Sequence, residues 1–410
     1  MKDLKTLSFY EELTAGTDND CLRAARESGK LMIGSNCSQL PEVLLNLPGC
    51  VSVRMRAPGV SSMDIGTYYM TSLNCEYCRA VVEKCFDGGY NYLDCIFDSY
   101  ACSQMADAID NIDKLQLCRS RNSRFFVARV DTPIKSDENA VRHLARMCRA
   151  RVLDRLHDEF GIDVSDEAIL MAVKEHNKMC ALLNEIGNFR KLDHPLITGY
   201  EFAVICLATY SAPHDIIISK LEETLAELKE RQADAEDAFR IRVVVAGSEV
   251  DDPGFIKMIE STGALVVADR YCFGSFPDRM EINLAGHETG SCPGNDSEDI
   301  LTEICRQYIM RCQCPRHMDR SKIDQRKEYL AGLVDEYKAD GIIVQLMNFC
   351  NFWPYERAAM AHIMPEKYEI PVLSMDRPYN SGMSGQLRTR VQAFIESAEI
   401  KKIRKGLEHA

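Results

Sequence analysis

The sequence predicts an α/β protein of two doubly wound parallel-sheet lobes, with a helical N-terminal segment and a helical insertion. Three observations lead there. Short runs of near-continuous Val, Ile and Leu recur along the chain, as strands buried on both faces require. Most of these runs lead into a stretch with apolar residues three and four apart, which is helical spacing. The alternation occurs twice, on either side of a long helical stretch.

From Ser8 to Ser28 the pattern is helical and mixed in charge, so residues 1–29 read as an N-terminal helical segment. KLMIG (Lys30 to Gly34) is a short buried strand ending in the loop SNCSQL, and Pro41 suits the first position of a helix. CVSVRMRAPG (Cys50 to Gly59) alternates Val51, Val53 and Met55 and stops at Pro58-Gly59. YLDCIFD (Tyr92 to Asp98) and RFFVARVDTP (Arg124 to Pro133) complete the first set of strands. A largely helical stretch from about Glu138 to Glu236 caps the first sheet or bridges two lobes, which makes residues 30–236 the first lobe with its extension. The second lobe, 237–410, contains IRVVVAGS (Ile241 to Ser248), ALVVADRYC (Ala264 to Cys272), GIIVQLMNFC (Gly341 to Cys350) and IPVLSMD (Ile370 to Asp376), then a last helix.

A chain of 410 residues, 46% hydrophobic and 27% charged, can bury a large core. Its first thirty residues carry Lys2, Asp3, Lys5, Glu11, Glu12 and Asp18 with no unbroken apolar stretch. We therefore expect no secretory leader, no membrane span and a cytoplasmic location. The formal charge of −13 argues against broad binding to nucleic acid or anionic membranes, which needs clustered Lys and Arg. A CoA-sized anion needs only a local basic pocket.

Eighteen cysteines are many for a chain with no export signal, and in a reducing compartment they are thiols. Cys148, Cys180, Cys206 and Cys305 fall in helical stretches and read as small buried hydrophobes. A zinc ribbon needs two close pairs of matching spacing. Here Cys75/Cys78 and Cys312/Cys314 are far apart, and the second spacing is wrong. GSEVDDPG lacks the glycine order of a dinucleotide fingerprint, and the chain has no G-x4-GK[ST] run, no H-E-x-x-H and no G-x-S-x-G. Hydrolase mechanisms lack support, an ATP requirement would reside on another protein, and no motif marks a flavin.

In open parallel sheets ligands collect beyond the carboxyl ends of the strands. Cys102 lies a few residues after one predicted strand, and Cys350 ends another. Cys75 sits at the start of an expected helix, whose free amides stabilise a thiolate. Three thiolates from three loops suit a cubane with its fourth iron open, a Lewis-acid position for an oxygen-bearing substrate. Spacing alone does not separate these three from Cys78, Cys95 and Cys272. Cys78, one helical turn from Cys75, reads either as packing or as an alternative ligand, and Cys95, inside a strand, as core.

Several segments carry a resemblance. VRMRAPG followed by TYYMTSLNCEYCRAVVEKCFDGGYNYLDCIFDSYACSQM, then GSEVDDPGFIKMIESTGALVVADRYCFGSF, DGIIVQLMNFCNFWPYE (Asp340 to Glu356), IPVLSMDRPY and GQLRTRVQAFIE (Gly385 to Glu396) follow in order. Together they resemble the D-component of 2-hydroxyacyl-CoA dehydratases and the related subunits of ATP-dependent benzoyl-CoA reductases, a family that includes double-cubane cluster reductases.

The resemblance implies that Cys75, Cys102 and Cys350 bind a [4Fe-4S] cluster, or part of a double-cubane. It implies a homologous second subunit in a heterodimer, or a homodimer, and a separate ATP-dependent activator with its own iron–sulfur cluster. It further implies an acyl-CoA substrate and one-electron, ketyl-radical dehydration in an oxygen-sensitive enzyme. A low-potential reductase and an electron-relay subunit with no substrate site of its own are the alternatives. Ser38 matches a serine that lies near substrate in the family, and Glu356, six residues after Cys350, is a candidate to orient a ligand or substrate. Arg54 or Arg56 stands where the family has an acid, and Ser103 stands where it commonly has Asp. The missing acid points towards a partner-type or relay subunit and towards the reductase alternative.

Overall fold

The computed structural model describes residues 3–118, 124–233, 239–275, 279–285, 299–379 and 385–408. Among the described residues eight strands form two sheets: β1 (Leu31–Ser35), β2 (Cys50–Arg54), β3 (Cys95–Ser99) and β4 (Phe126–Val130) in one, and β5 (Ile241–Gly247), β6 (Ala264–Tyr271), β7 (Gly341–Met347) and β8 (Val372–Arg377) in the other. The spatial orders are β2-β1-β3-β4 and β6-β5-β7-β8, so the two sheets share one topology. Every pairing is parallel. This is the pair of doubly wound lobes that the sequence predicts.

Helices α1 (Leu7–Ala15) and α2 (Asp20–Glu27) precede the first sheet, and α3 (Asp64–Met70), α4 (Glu76–Phe86) and α5 (Ser103–Lys114) connect its strands. The long helical stretch is α6 (Glu138–Cys148), α7 (Asp154–Phe160), α8 (Asp166–Asn188), α9 (Gly199–Ala208) and α10 (His214–Glu230). The second half adds α11 (Gly254–Glu260), α12 (Ile300–Arg311), α13 (Arg320–Glu336), α14 (Trp353–Tyr368) and α15 (Gly385–Glu408). Caps set several starts. Asn19, Asp137, Ser165 and Asp299 accept amides at the first turns of α2, α6, α8 and α12, and Thr198 with Glu201 forms a capping box on α9. Gly161, at φ +71°, ends α7 in the left-handed conformation that glycine adopts at no steric cost.

Alternate strand residues serve different cores. Ile33, Cys95 and Phe97 join one cluster with α6 and α12. Met32, Val53 and Ile96 join another that continues through α4 and α5 to Val244, Ala246, Ile342 and Val344 of the second sheet. The two lobes therefore share one hydrophobic core along their facing sides. A third cluster packs α1 against α8, α9 and α10. No helix among the described residues is long and apolar enough to cross a membrane.

Three expectations are corrected in detail. Pro41 opens only a four-residue 3-10 turn, Glu42–Leu45, because the chain soon returns to enter β2. β2 stops at Arg54, beyond which the Met55 amide still bonds the Ser35 carbonyl, at 2.7 Å. β7 ends at Met347, so Cys350 lies in the following loop.

Candidate functional site

Each strand order changes direction between two neighbouring central strands, β1 and β3 in one sheet and β5 and β7 in the other. A crevice opens beyond the carboxyl ends at such a point. In the first lobe Asn36 pins this end: its Nδ2 donates to Asp98 Oδ1 at 2.6 Å and its Oδ1 accepts the Ser99 amide at 2.9 Å. In the second lobe the Met347 amide donates to Ser248 Oγ at 2.6 Å, and Gln345 Nε2 donates to the Ser248 carbonyl at 2.8 Å.

The three predicted cysteines all stand where a helix begins. Cys75 is the N-cap of α4, Cys102 is the N-cap of α5, and Cys350 precedes α14 by three residues. Amides at a helix start have no partner within the helix and favour negative charge. The Cys350 sulfur accepts the Phe352 and Trp353 amides, and the Cys102 sulfur accepts those of Gln104 and Met105. The Cys78 thiol hydrogen-bonds to the sulfurs of Cys102 and Cys75, which with burial raises Cys78 well above the usual range. The Cys78 contact, aided by the two amides and opposed by burial, lowers Cys102. Burial raises Cys350, with the Glu249 and Cys75 charges adding to it. The fold therefore gathers Cys75, Cys78 and Cys102, with Cys350 facing them from the other lobe. Cys95 is buried in β3, away from this group.

Glu76 ties the two lobes together beside the thiols. Its amide donates to the Asn348 carbonyl at 3.3 Å. Its Oε1 accepts Asn348 Nδ2 at 3.1 Å, and its Oε2 accepts the Tyr379 amide at 2.6 Å. Gln104 Nε2 donates to Asn74 Oδ1 at 3.3 Å, joining the Cys102 helix to the Cys75 loop.

A second group of thiols lies beside the first. Cys37, Cys272 and Cys314 line one small cavity with Ser38, Arg270 and Trp353. Gln39 Nε2 donates to the Cys312 sulfur at 2.8 Å, and the Cys314 amide donates to the same sulfur at 3.3 Å. Burial raises Cys272, with Glu249 adding, and raises Cys314, with Cys312 and Cys37 adding. Glu249 thus acts on both groups. Its carboxyl is enclosed, Oε2 has no hydrogen-bond partner among the described residues, and burial raises it above the ordinary carboxylate range. Arg54 lies over the Phe273 ring at 4.2 Å, and its charge opposes the rise in Glu249.

Ser38 is half-buried on the cavity of the second thiol group. Glu356 is 3% exposed and accepts from Arg270 at 3.1 Å and Arg326 at 3.0 Å, so it anchors two buried guanidiniums. Arg56 is turned away from the thiols and donates to the Thr14 and Gly16 carbonyls, each at 2.7 Å. Sequence reasoning passed over Glu249, Arg270 and the joining of Cys37 with Cys314. Only the three-residue spacing of Cys75 and Cys78, which puts both on one helix face, was a usable signal for Cys78.

Among the described residues no three His, Cys, Asp or Glu side chains close around a single ion. An iron–sulfur cluster presents separate irons to separate sulfurs, so its ligands stand farther apart than those of one ion. Thiols at helix starts, receiving amide hydrogens inside an apolar shell that includes Tyr77, Phe273, Trp353 and Tyr379, fit such a group.

The profile of the family described as 2-hydroxyglutaryl-CoA dehydratase, D-component, matches residues 37–398. The chain is 26% identical over 379 residues to the (R)-2-hydroxyglutaryl-CoA dehydratase subunit beta of Acidaminococcus fermentans, covering 91% of this chain and 93% of that one. It is 19% identical over 398 residues to the (R)-phenyllactyl-CoA dehydratase beta subunit of Clostridium sporogenes, covering 96% and 98%. A benzoyl-CoA reductase subunit of Thauera aromatica is 22% identical over 242 residues, covering 58% of this chain and 59% of its own. Matched over most of its length and folded into two lobes that meet at a group of thiols, the chain belongs to the 2-hydroxyglutaryl-CoA dehydratase D-component family.

Proposed function

We propose that this chain is an iron–sulfur subunit of a 2-hydroxyacyl-CoA dehydratase, with Cys75, Cys102 and Cys350 as the ligands of a [4Fe-4S] cluster. The observation that carries this reading is the meeting of three helix starts, each led by one of these cysteines, at the junction of the lobes. When bound, the cluster supplies a low-potential electron for one-electron, ketyl-radical chemistry on a CoA thioester. Around it the chain's own residues have distinct tasks. Amides of Gln104, Met105, Phe352 and Trp353 offset thiolate charge. The apolar shell excludes water, which strengthens every charge interaction inside it. Ser38 offers a hydroxyl to a substrate oxygen, and Glu356 holds Arg270 at the cavity wall. The relatives named as subunits support a homologous partner chain. A separate ATP-dependent activator and a cytoplasmic setting complete the reading.

The second reading is a double-cubane reductase. Its specific support is the second thiol group, Cys37, Cys272 and Cys314, which shares Glu249 and Trp353 with the first. Iron and acid-labile sulfide, measured on protein purified without oxygen, separate the two. About four irons per chain support one cubane, and about eight, lost in part by Cys272→Ser, support the second reading. Cys75→Ser, Cys102→Ser and Cys350→Ser should each lower iron, whereas Cys148→Ser should not. Unchanged iron in all four variants, or no iron after reconstitution, would sink both.

A further inference from the structure

α6 and α12 pack side by side and leave a groove of about 510 Å3 between them. Its wall on α6 and just beyond carries Arg142, Arg146 and Arg149, and the facing wall carries Asp299, Leu301 and Thr302. Three cations at spacings of four and three residues share one helix face, where like charges destabilise one another. Arg142 donates to Asn139 Oδ1 at 2.6 Å, and among the described residues neither Arg146 nor Arg149 has an ion-pair partner. Asp299 is the acid in the lining, and its carboxylate accepts the Leu301 amide at 3.0 Å, capping α12. The backbone is irregular at the same place. Arg149 opens a π turn, Arg149–Leu153, between α6 and α7. Such turns are rare, and they frequently mark functional sites.

We propose that this groove binds the phosphorylated adenosine end of a CoA thioester. The inference rests on the CoA-thioester reading above and adds where the nucleotide sits. Guanidiniums pair with phosphate through two parallel hydrogen bonds, and the volume lies within the range of small-molecule sites. In a chain of net charge −13, three arginines on one groove form the kind of local basic site that a phosphorylated ligand requires. The chain that leads into α6 is tied to the loop that carries Cys102. Arg316 donates to the carbonyls of Tyr100, at 2.9 Å, and of Ala101 and Thr132, which holds the chain entering α6 against the Cys102 loop. From the first residue of α6, the arginines lie roughly 6 to 17 Å along the helix, at 1.5 Å per residue. A pantetheine arm running back along that helix brings the thioester towards the carboxyl ends of β3 and β4.

The test is calorimetric titration of the full chain with 3′,5′-ADP, CoA, ATP and inorganic phosphate. We expect saturable binding of 3′,5′-ADP and CoA that weakens as salt rises. It should weaken at least about tenfold in Arg146→Glu/Arg149→Glu, less in Arg146→Gln/Arg149→Gln, and not at all in Arg320→Glu, an exposed control. Iron content and circular dichroism should be unchanged in these variants. CoA binding that ignores both double variants would overturn the groove and leave the dehydratase reading intact. ATP or phosphate binding as well as 3′,5′-ADP would overturn the assignment to CoA. Absence of binding by every phosphorylated ligand would overturn the proposal, and the iron measurement would separately decide the function.

Discussion

The carboxyl ends of the two sheets answer one topology with different chemistry. In the first lobe the rim is built from an amide, Asn36, bonded to Asp98, and Asp98 is paired with Arg129, which is 38% exposed and reaches solvent. In the second lobe guanidiniums are enclosed. Arg270, Arg326 and Arg377 are among the largest fully buried side chains, with Arg270 and Arg326 sharing Glu356 and Arg377 bonded to Gln345 Oε1 at 3.2 Å. The first lobe supplies Cys75 and Cys102, whose thiolate charges would repel one another, and the Cys78 thiol that bonds to both. The second supplies one facing cysteine and most of the buried positive charge. A repeated fold can thus divide the work of a site, with donors on one side and a compensating field on the other.

The largest effect expected from this contrast is on Glu356. Replacing it by Ala leaves two guanidiniums buried without their shared carboxylate and should cost about 3–5 kcal/mol in urea denaturation. Asp98→Asn, whose cation is free to turn to water, should cost about 1 kcal/mol. Equal losses at the two positions would break the contrast.

Acid titration sharpens it next. Burial lowers His176 and His317 to about 4, from an ordinary value near 6.5. The unfolded chain therefore binds more protons than the folded one between those values, so stability is full above about pH 6.5 and is lost as pH falls towards 4. Each histidine should contribute roughly 3 kcal/mol to that loss. His317→Gln should flatten the dependence measured between pH 7 and pH 5. A slope identical to that of the parent chain would show that this ring is already protonated in the folded state.

A smaller effect than that at Glu356 should come from the tie between lobes. Glu76→Gln keeps one acceptor but loses the carboxylate that serves both Asn348 and the Tyr379 amide, and should cost about 1–2 kcal/mol. Proteolysis under native conditions should speed up within the Asn348–Phe352 loop. An unchanged cleavage rate there would mean that the shared core alone holds the lobes.

Much of this architecture was legible beforehand because strands such as IRVVVAG and GIIVQLM are apolar on both faces, and only a covered parallel sheet satisfies them. Cys75 stood at an expected helix start, and Cys102 a few residues after an expected strand, for equally local reasons. Cys350 was placed at a strand end, but the strand stops three residues earlier, because apolar pattern does not mark where a strand gives way to its loop. Glu356 gave no sign of its burial. On a helix as mixed in polarity as α14 its neighbours do not reveal a partner, and both partners come from distant segments.

The sequence by itself determined the two α/β alternations, the charge balance and the family signature, since each depends on residues close together in the chain or on their order. Tertiary structure decided which of eighteen thiols meet, that the Glu249 charge acts on two groups of them, and that three arginines face α12 across one groove. These are contacts between segments tens to hundreds of residues apart. Side-chain periodicity carries no information about such contacts, because they are fixed only when the sheets close on a shared core.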